Sequence, residues 1–301
     1  MIEAIKKAGL ILGNSGRVFG ADSDDGCFGK YFVDEFWQMP KLSDLSIASL
    51  LKYCGDNGIS AIIPSRDGEL RFFATHKRTL YDNGISVMVS DLEACETCID
   101  KLTFYRRASE MGFPVIPTSP HIDDLQCSKY VVKERYGAGA HKIGLGLTKQ
   151  QAVLHAEDLE EPVFQPEVEG KEVSVDVYVD LKGKTKGAVA RTRDVVVNGE
   201  SQITTTFSDP ALEMVCSELA EKLGLYGHAV IQGIIDENNN FNIVECNSRF
   251  GGASTLSLET GLASFYWFLL EACGYSISDY PFIRSVTEKK QVRYPKDLII
   301  L

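Results

Sequence analysis

The sequence lacks the features that would place a protein in a membrane, outside the cell or on nucleic acid. No apolar run approaches the roughly 18 residues a spanning helix needs, so no transmembrane helix is expected. The start, Met1-Ile2-Glu3-Ala4-Ile5-Lys6-Lys7-Ala8, has no apolar core of a secretory signal. Basic residues are outnumbered, 31 Lys and Arg against 42 Asp and Glu. The resulting net charge of −11 argues against a general nucleic-acid or membrane-surface binder. Neither an internal repeat nor a low-complexity tract is present. The eight cysteines are scattered. Cys95 and Cys98 form a lone CxxC with no second pair at zinc spacing, so buried or helix-surface thiols are expected rather than a metal or redox centre. Together these absences predict a reducing, cytoplasmic setting. Gly13, Gly16 and Gly20 have the wrong spacing for a dinucleotide loop, and a strand rather than a helix follows them.

What is present is ordinary globular composition, 44% hydrophobic and 24% charged, over 301 residues, enough for two or three domains. Residues 1–90 alternate strand and helix patterns: a strand over Arg17–Asp22, a helix over Ser43–Asn57 ended by Gly58, and buried strands over Ile59–Pro64 and Ile85–Val89. That alternation predicts a parallel α/β sheet. Asp67 and Glu69 follow directly after a strand, where open α/β sheets bind ligands or simply turn in solvent. A helix carrying Lys101, Tyr105, Arg106 and Met111 precedes a boundary at Gly112, Pro114 and Pro117.

From Tyr130 the pattern becomes antiparallel. Tyr130–Glu134 and Lys142–Leu147 flank a glycine-rich loop, and Thr148–Gln151 matches a capping box that starts a helix. Val163–Gln165, Val173–Val179 and Gly187–Arg193 read as further strands. Asp209-Pro210 caps a helix closed by Gly224, and one long apolar helix is expected over Thr255–Cys273.

The most informative stretch is the hairpin from Gly233 to Gly252. A turn at Glu237–Asn240 would pair Asp236 with Phe241 and set Gln232 opposite Glu245. Alternate residues of a strand share a face, so Glu245, Asn247 and Arg249 point one way. An ionised carboxylate among Val230, Ile231, Ile243 and Val244 is costly unless paired. The oxygen ligands of Gln232, Glu245 and Asn247 suit Mg²⁺; the alternative is a polar strand end that has reached solvent. Lys133 sits inside the apolar strand Tyr130-Val131-Val132 and needs an anionic partner. Its neighbouring loop, Arg135-Tyr136-Gly137-Ala138-Gly139-Ala140-His141-Lys142, lets backbone N–H groups approach an anion, although it is not a Walker A loop. Arg191 and Arg193 alternate in a strand, where they can hold a phosphate or carboxylate or face solvent.

Taken in order, Cys98-Ile99-Asp100-Lys101, Val131-Val132-Lys133, Gly137-Ala138-Gly139-Ala140, Gln165 to Glu172, Gln232 and Glu245-Cys246-Asn247-Ser248-Arg249-Phe250-Gly251-Gly252 resemble the ATP-grasp superfamily. The resemblance is to its carbamoyl-phosphate-synthase-like and carboxylate–amine ligase branch. It covers residues 95–275, and the first 90 residues resemble the Rossmann-like domain that precedes it. The implied fold is α/β and α+β: a Rossmann-like N-terminal domain over 1–98, then an ATP-grasp domain over 99–301 with a lid (about 115–164) and an antiparallel core (about 165–301). The implied cofactors are ATP and Mg²⁺, with Mn²⁺ as the alternative metal. Lys101 and Lys133 would contact the phosphates, under a lid loop that includes Gly137, Gly139 and Ala140. Gln165, Glu167 and Val168 would bind adenine, largely through backbone groups, and Glu172 the ribose. Gln232, Glu245 and Asn247 would hold the metal, and Arg249, with Lys133, Arg191 and Arg193, would serve the transferred phosphoryl group and substrate.

The implied reaction is phosphorylation of a small carboxylate and attack by an amine. The alternatives are phosphorylation of bicarbonate or carbamate, and an ATP-binding protein without catalysis. Two departures stand out. Pro166 occupies the place of an acidic hinge residue. The chain also opens on what looks like the first helix, so either the first strand is missing or Gly9-Leu10-Ile11-Leu12 supplies it. A missing strand would leave edges for Leu298–Leu301, a second copy or a partner chain to cover.

Overall fold

A computed structural model describes residues 1–13, 16–137, 139 and 142–299. Ala138, Ala140 and His141 of the expected lid loop lie outside the described residues, as do Ile300 and Leu301. The chain opens with helix α1, Ile2–Ile11. Gly9-Leu10-Ile11 is its last turn rather than a strand, which corrects one reading of the N-terminus. Strands β1 (Phe19–Asp22) and β2 (Glu35–Gln38) pair in parallel. Helix α2 (Ile47–Asn57) follows; Ser46 caps its start by accepting from Ser49 N–H, and Gly58 ends it with φ +66°. This helix begins later than Ser43 because the Ser46 cap fixes its first turn. Strand β3 (Ala61–Ile62), helix α3 (Asp67–Asp82) and strand β4 (Ser86–Val87) form a β-α-β unit whose two short strands pair in parallel. Among the described residues the N-terminal strands form two separate pairs, not one continuous sheet. Leu298 and Ile299 are exposed and in no strand, so this part of the C-terminal segment does not cover an edge.

Helices α4 (Leu92–Ile99) and α5 (Lys101–Glu110) meet at Asp100, whose side chain accepts from the N–H groups of Leu102 and Thr103. The next unit is a small antiparallel sheet in the order β6-β5-β7, with β5 Tyr130–Glu134, β6 Gly144–Leu147 and β7 Pro162–Pro166. Helix α6 (Lys149–Ala156) covers it, started by the expected Thr148/Gln151 capping box.

The remaining strands build one large antiparallel sheet. They are β8 (Gly170–Val179), β9 (Thr185–Thr192), β10 (Val195–Val197), β11 (Glu200–Phe207), β12 (Gly227–Asp236), β13 (Phe241–Asn247) and β14 (Lys290–Val292). The order is β10-β11-β9-β8-β12-β13, with β14 also paired to β11. Helix α7 (Pro210–Lys222), capped by Asp209, packs against one face together with α4 and α5. That face is Val173, Val175 and Val177 of β8 with Ile231, Ile243 and Cys246, all buried. Each such side chain contributes about 1.5–3 kcal/mol on burial, which makes the sheet a firm floor for whatever its other face carries.

The expected long C-terminal helix is two: α8 (Thr255–Glu259) and α9 (Ser264–Ala272). Gly261 breaks it. Its φ is +111°, and a Cβ there would sit 2.2 Å from the carbonyl oxygen of Ile283. Phe265, Trp267 and Phe268 of α9 then bury against Tyr178 and Val189 on the second face of the sheet.

Candidate active site

The site begins in the β12–β13 hairpin. Asp236 accepts from the N–H groups of Asn238 and Asn240, at 2.9 and 2.8 Å, and so closes the turn. Near the turn the register is one place off the simple expectation: Ile235, not Asp236, faces Phe241. A bulge at Val244 then restores the pairing of Gln232 with Glu245. Gly233 makes room for this, since a Cβ there would lie 2.3 Å from Cε2 of Phe241. The bulge aims Glu245 and Asn247 away from the apolar face, as bulges beside functional sites do.

Register across the sheet extends the polar row. Glu245 faces Gln232, Gln232 faces Ser174, and Ser174 faces Arg191. One face is therefore hydrocarbon and the other carries a line of polar groups crossing four strands.

Charge of both signs converges at the Glu245 end. Lys133 of β5 is 3% exposed. Burial pushes its ammonium down to about 8, and Lys101 adds to this, while Glu245 opposes it. Lys101, the first residue of α5, is also buried and donates to the carbonyl of Gly137 at 2.7 Å. Burial lowers its pKa too, with Glu245 and Asp67 countering. For Glu245, burial acts to raise the pKa, but Lys133, Lys101 and an Asn247 hydrogen bond outweigh it and hold the carboxyl below the ordinary value. Asn247 Nδ2 donates to Glu245 Oε1 at 3.3 Å, and its amide oxygen has no hydrogen-bond partner among the described residues. Asp67, Lys101, Gly137, Glu245 and Asn247 line a cleft of about 560 Å³.

Asp100 and Arg135 hold this arrangement and were not singled out from sequence. Arg135 donates Nε to Asp100 Oδ1 at 2.7 Å and Nη2 to Oδ2 at 2.5 Å. The pair ties the start of α5 to the loop after β5, which brings Lys101 and Lys133 to one place. The only advance signal was an Asp at a helix N-cap.

The other expected residues are placed as follows. Gln165 is buried in β7 and donates Nε2 to Thr118 Oγ1 at 2.7 Å. Glu167 is half-buried, its carboxylate about where a side chain on Gly146 would reach, and Val168 follows it, half-buried. Gly139 adopts φ +69°, a conformation that favours glycine. Glu172 accepts from Arg193 Nε at 3.0 Å, and Arg193 also donates to Gly199 O. Arg191, 2% exposed, donates Nε to Asp176 at 2.6 Å. Asp176 is fully buried and also receives Ser257 Oγ at 2.6 Å, Ser254 Oγ, and His228 Nε2 at 3.2 Å. Burial alone would raise its pKa; Arg191 and His228 reverse this and keep it ionised. Arg249 is paired bidentately with Asp67, Nε to Oδ1 at 2.8 Å and Nη2 to Oδ2 at 2.7 Å.

A larger cavity, about 690 Å³, lies between the C-terminal half of α3 and the end of α9. It contains none of the expected residues, and Lys77 and Glu271 on its wall already have partners. The smaller cleft is the candidate site because buried charges converge on it. Among the described residues no group of three or more His, Cys, Asp or Glu side chains could enclose a metal. One carboxylate with two amide oxygens instead suits a cation that keeps waters and shares ligands with phosphate.

A large antiparallel sheet, a smaller sheet bearing a buried lysine, and a charged cleft define the ATP-grasp fold. Residues 158–295, just under half of the chain, match a family model described as "ATP-grasp in the biosynthetic pathway with Ter operon", and residues 1–88 match the PylC-like N-terminal domain. No curated protein matches the chain. Solved structures share the fold. The biotin carboxylase domain of 2-oxoglutarate carboxylase from Hydrogenobacter thermophilus, in complex with MgADP, ADP and bicarbonate, superposes with a TM-score of 0.78 at 18% identity, covering 96% of this chain and 71% of its own. Biotin carboxylase from Campylobacter jejuni, with β-γ-ATP, gives 0.77 at 16%, covering 96% and 72%. N5-carboxyaminoimidazole synthetase from Staphylococcus aureus gives 0.67 at 18%, covering 91% and 74%. No described helix is long and apolar enough to cross a membrane.

Proposed function

We propose that the protein is an ATP- and Mg²⁺-dependent ligase that activates a small carboxylate as an acylphosphate for attack by an amine. One observation carries this reading: buried Lys101 and half-buried Glu245 line one open cleft and buried Lys133 lies within electrostatic reach of both, the three coming from separate elements with no direct ion pair between them among the described residues. Buried charge of that kind awaits a charged ligand. Lys101 and Lys133 would meet the phosphates, with the Gly137–Lys142 loop over them. The Gln165–Val168 segment would hold adenine by its backbone, and Glu172 would reach the ribose once released from Arg193. Gln232, Glu245 and Asn247 would hold Mg²⁺ or Mn²⁺, which neutralises phosphate charge when bound. The division into 1–98 and 99–301, with the lid at about 115–164, belongs to the same proposal.

In this reading a carboxylate oxygen attacks the γ-phosphorus and ADP leaves. The amine then attacks the acyl carbon, phosphate leaves, an amide forms and the amine loses a proton. The protein supplies positioning and charge stabilisation rather than a nucleophile. Bicarbonate as the phosphorylated acceptor is the second reading, favoured by the bicarbonate bound to one neighbour of the same fold. The test is ADP release across a panel of carboxylates, with hydroxylamine added to trap the acylphosphate. Hydroxamate formation with one carboxylate supports the ligase, and activity with bicarbonate alone supports the second reading. ATP binding without substrate-dependent ADP release overturns both.

A further inference from the structure

Arg249 is held by a residue from the other end of the chain. Asp67 is the first residue of α3, 182 positions earlier, and belongs to the N-terminal β-α-β unit. A guanidinium has five N–H donors on a planar fork. Asp67 takes Nε–H and one Nη2–H, and the Phe250 carbonyl takes one from Nη1 at 3.3 Å. Two N–H groups remain, one on each terminal nitrogen. The second Nη2–H lies on the outer edge of the planar fork, where a guanidinium donates to a carboxylate or phosphoryl oxygen. Both side chains of the pair are 21% exposed, so neither is sealed away as Arg191 and Asp176 are. Asp67 also lines the cleft beside Glu245 and Asn247.

We propose that Asp67 is a positioning residue: by occupying the inner edge of Arg249 it fixes the guanidinium so that the outer edge meets the transferred phosphoryl group or the substrate carboxylate. This rests on the ligase reading and makes the N-terminal unit a working part of the site. Asp67→Asn keeps the shape and loses the charge. Without its anchor the guanidinium turns, and a misplacement of this kind lowers rate about 10- to 100-fold.

The experiment has two arms. In the first, kcat and the KM for ATP are measured for the wild type, Asp67→Asn, Asp67→Glu and Glu69→Ala. Glu69 caps α3 by accepting from Ser65 and Arg66, so its removal weakens the helix start while leaving the pair intact. The expected result is a fall in kcat for Asp67→Asn with KM for ATP nearly unchanged, partial recovery in Asp67→Glu, and normal kcat in Glu69→Ala. Equal losses in Asp67→Asn and Glu69→Ala mean a structural role and overturn the proposal. In the second arm, the Arg249 Nε–H signal is followed by ¹H–¹⁵N NMR, assigned by its loss in Arg249→Lys. It is expected to be slowly exchanging in the wild type and lost in Asp67→Asn; persistence in the variant overturns the proposal. If the wild type turns over no carboxylate, the ligase reading fails, and the NMR arm still decides whether Asp67 fixes Arg249.

Discussion

Two clusters of buried charge lie on the same face of the large sheet and are built in opposite ways. Around Asp176 every acceptor oxygen is used: Arg191, His228, Ser254 and Ser257 all bond to it. Around Glu245 only Asn247 bonds directly among the described residues, and the balancing lysines come from α5 and β5. A saturated buried carboxylate is a rivet, because its desolvation is compensated within the fold. An unsaturated one beside a cleft leaves compensation to a ligand. The position of the row explains the difference. Asp176 lies under α8, whereas Glu245 lies at an edge strand where the small sheet and α3 leave a gap.

The contrast is broken most severely at Asp176. Asp176→Asn leaves Arg191 buried without a counter-charge and should cost about 3–5 kcal/mol of folding free energy, read as a fall in the denaturant midpoint. Glu245→Gln should do the reverse. Cooperative unfolding is retained while Mg²⁺-dependent ADP release falls by about 10²–10³, as removal of a transition-state stabiliser does. Near-normal turnover in that variant removes the metal assignment. Ser257→Ala deletes one donor to Asp176 and should cost about 1 kcal/mol, with kcat unchanged.

Lys133 gives a sharper test through pH. Its folded pKa, about 8, lies below the ordinary lysine value of 10.5. Between those values the unfolded chain binds more protons than the folded one, so stability rises with pH across that window and its burial penalty is fully present below pH 8. Lys133→Met should flatten this rise. Phosphates bind the charged form, so ATP affinity should weaken as pH rises through 8, with proton uptake on binding near pH 8. Calorimetry in buffers of different ionisation enthalpy reads that uptake directly, and no uptake would place the phosphates away from Lys133.

Local signals were legible in the sequence. The Thr148 capping box, the Asp209 cap and the Gly58 stop stand where residue chemistry puts them, because each involves neighbours within one turn. The hairpin was legible for its strands and for the Gln232–Glu245 pair, but not for the bulge. Phe241 must pack over Gly233, and that contact is set by three dimensions rather than by turn length. The break at Gly261 is of the same kind. The helical pattern runs through it, and the Ile283 carbonyl that demands a glycine arrives from a later segment.

The sequence by itself determined which face of β13 would be polar, that Lys133 would be buried, and that Gln232 and Asn247 would lie beside Glu245, since alternation and apolar context are properties of short stretches. Only the tertiary structure decided which charges would meet. Arg191 and Arg249 look alike as strand arginines, yet one is sealed against Asp176 and the other is braced by Asp67 with an edge left over. Charge attraction acts through space and is blind to sequence separation, so partners that lie far apart in the chain emerge only when the sheets and α3 are packed.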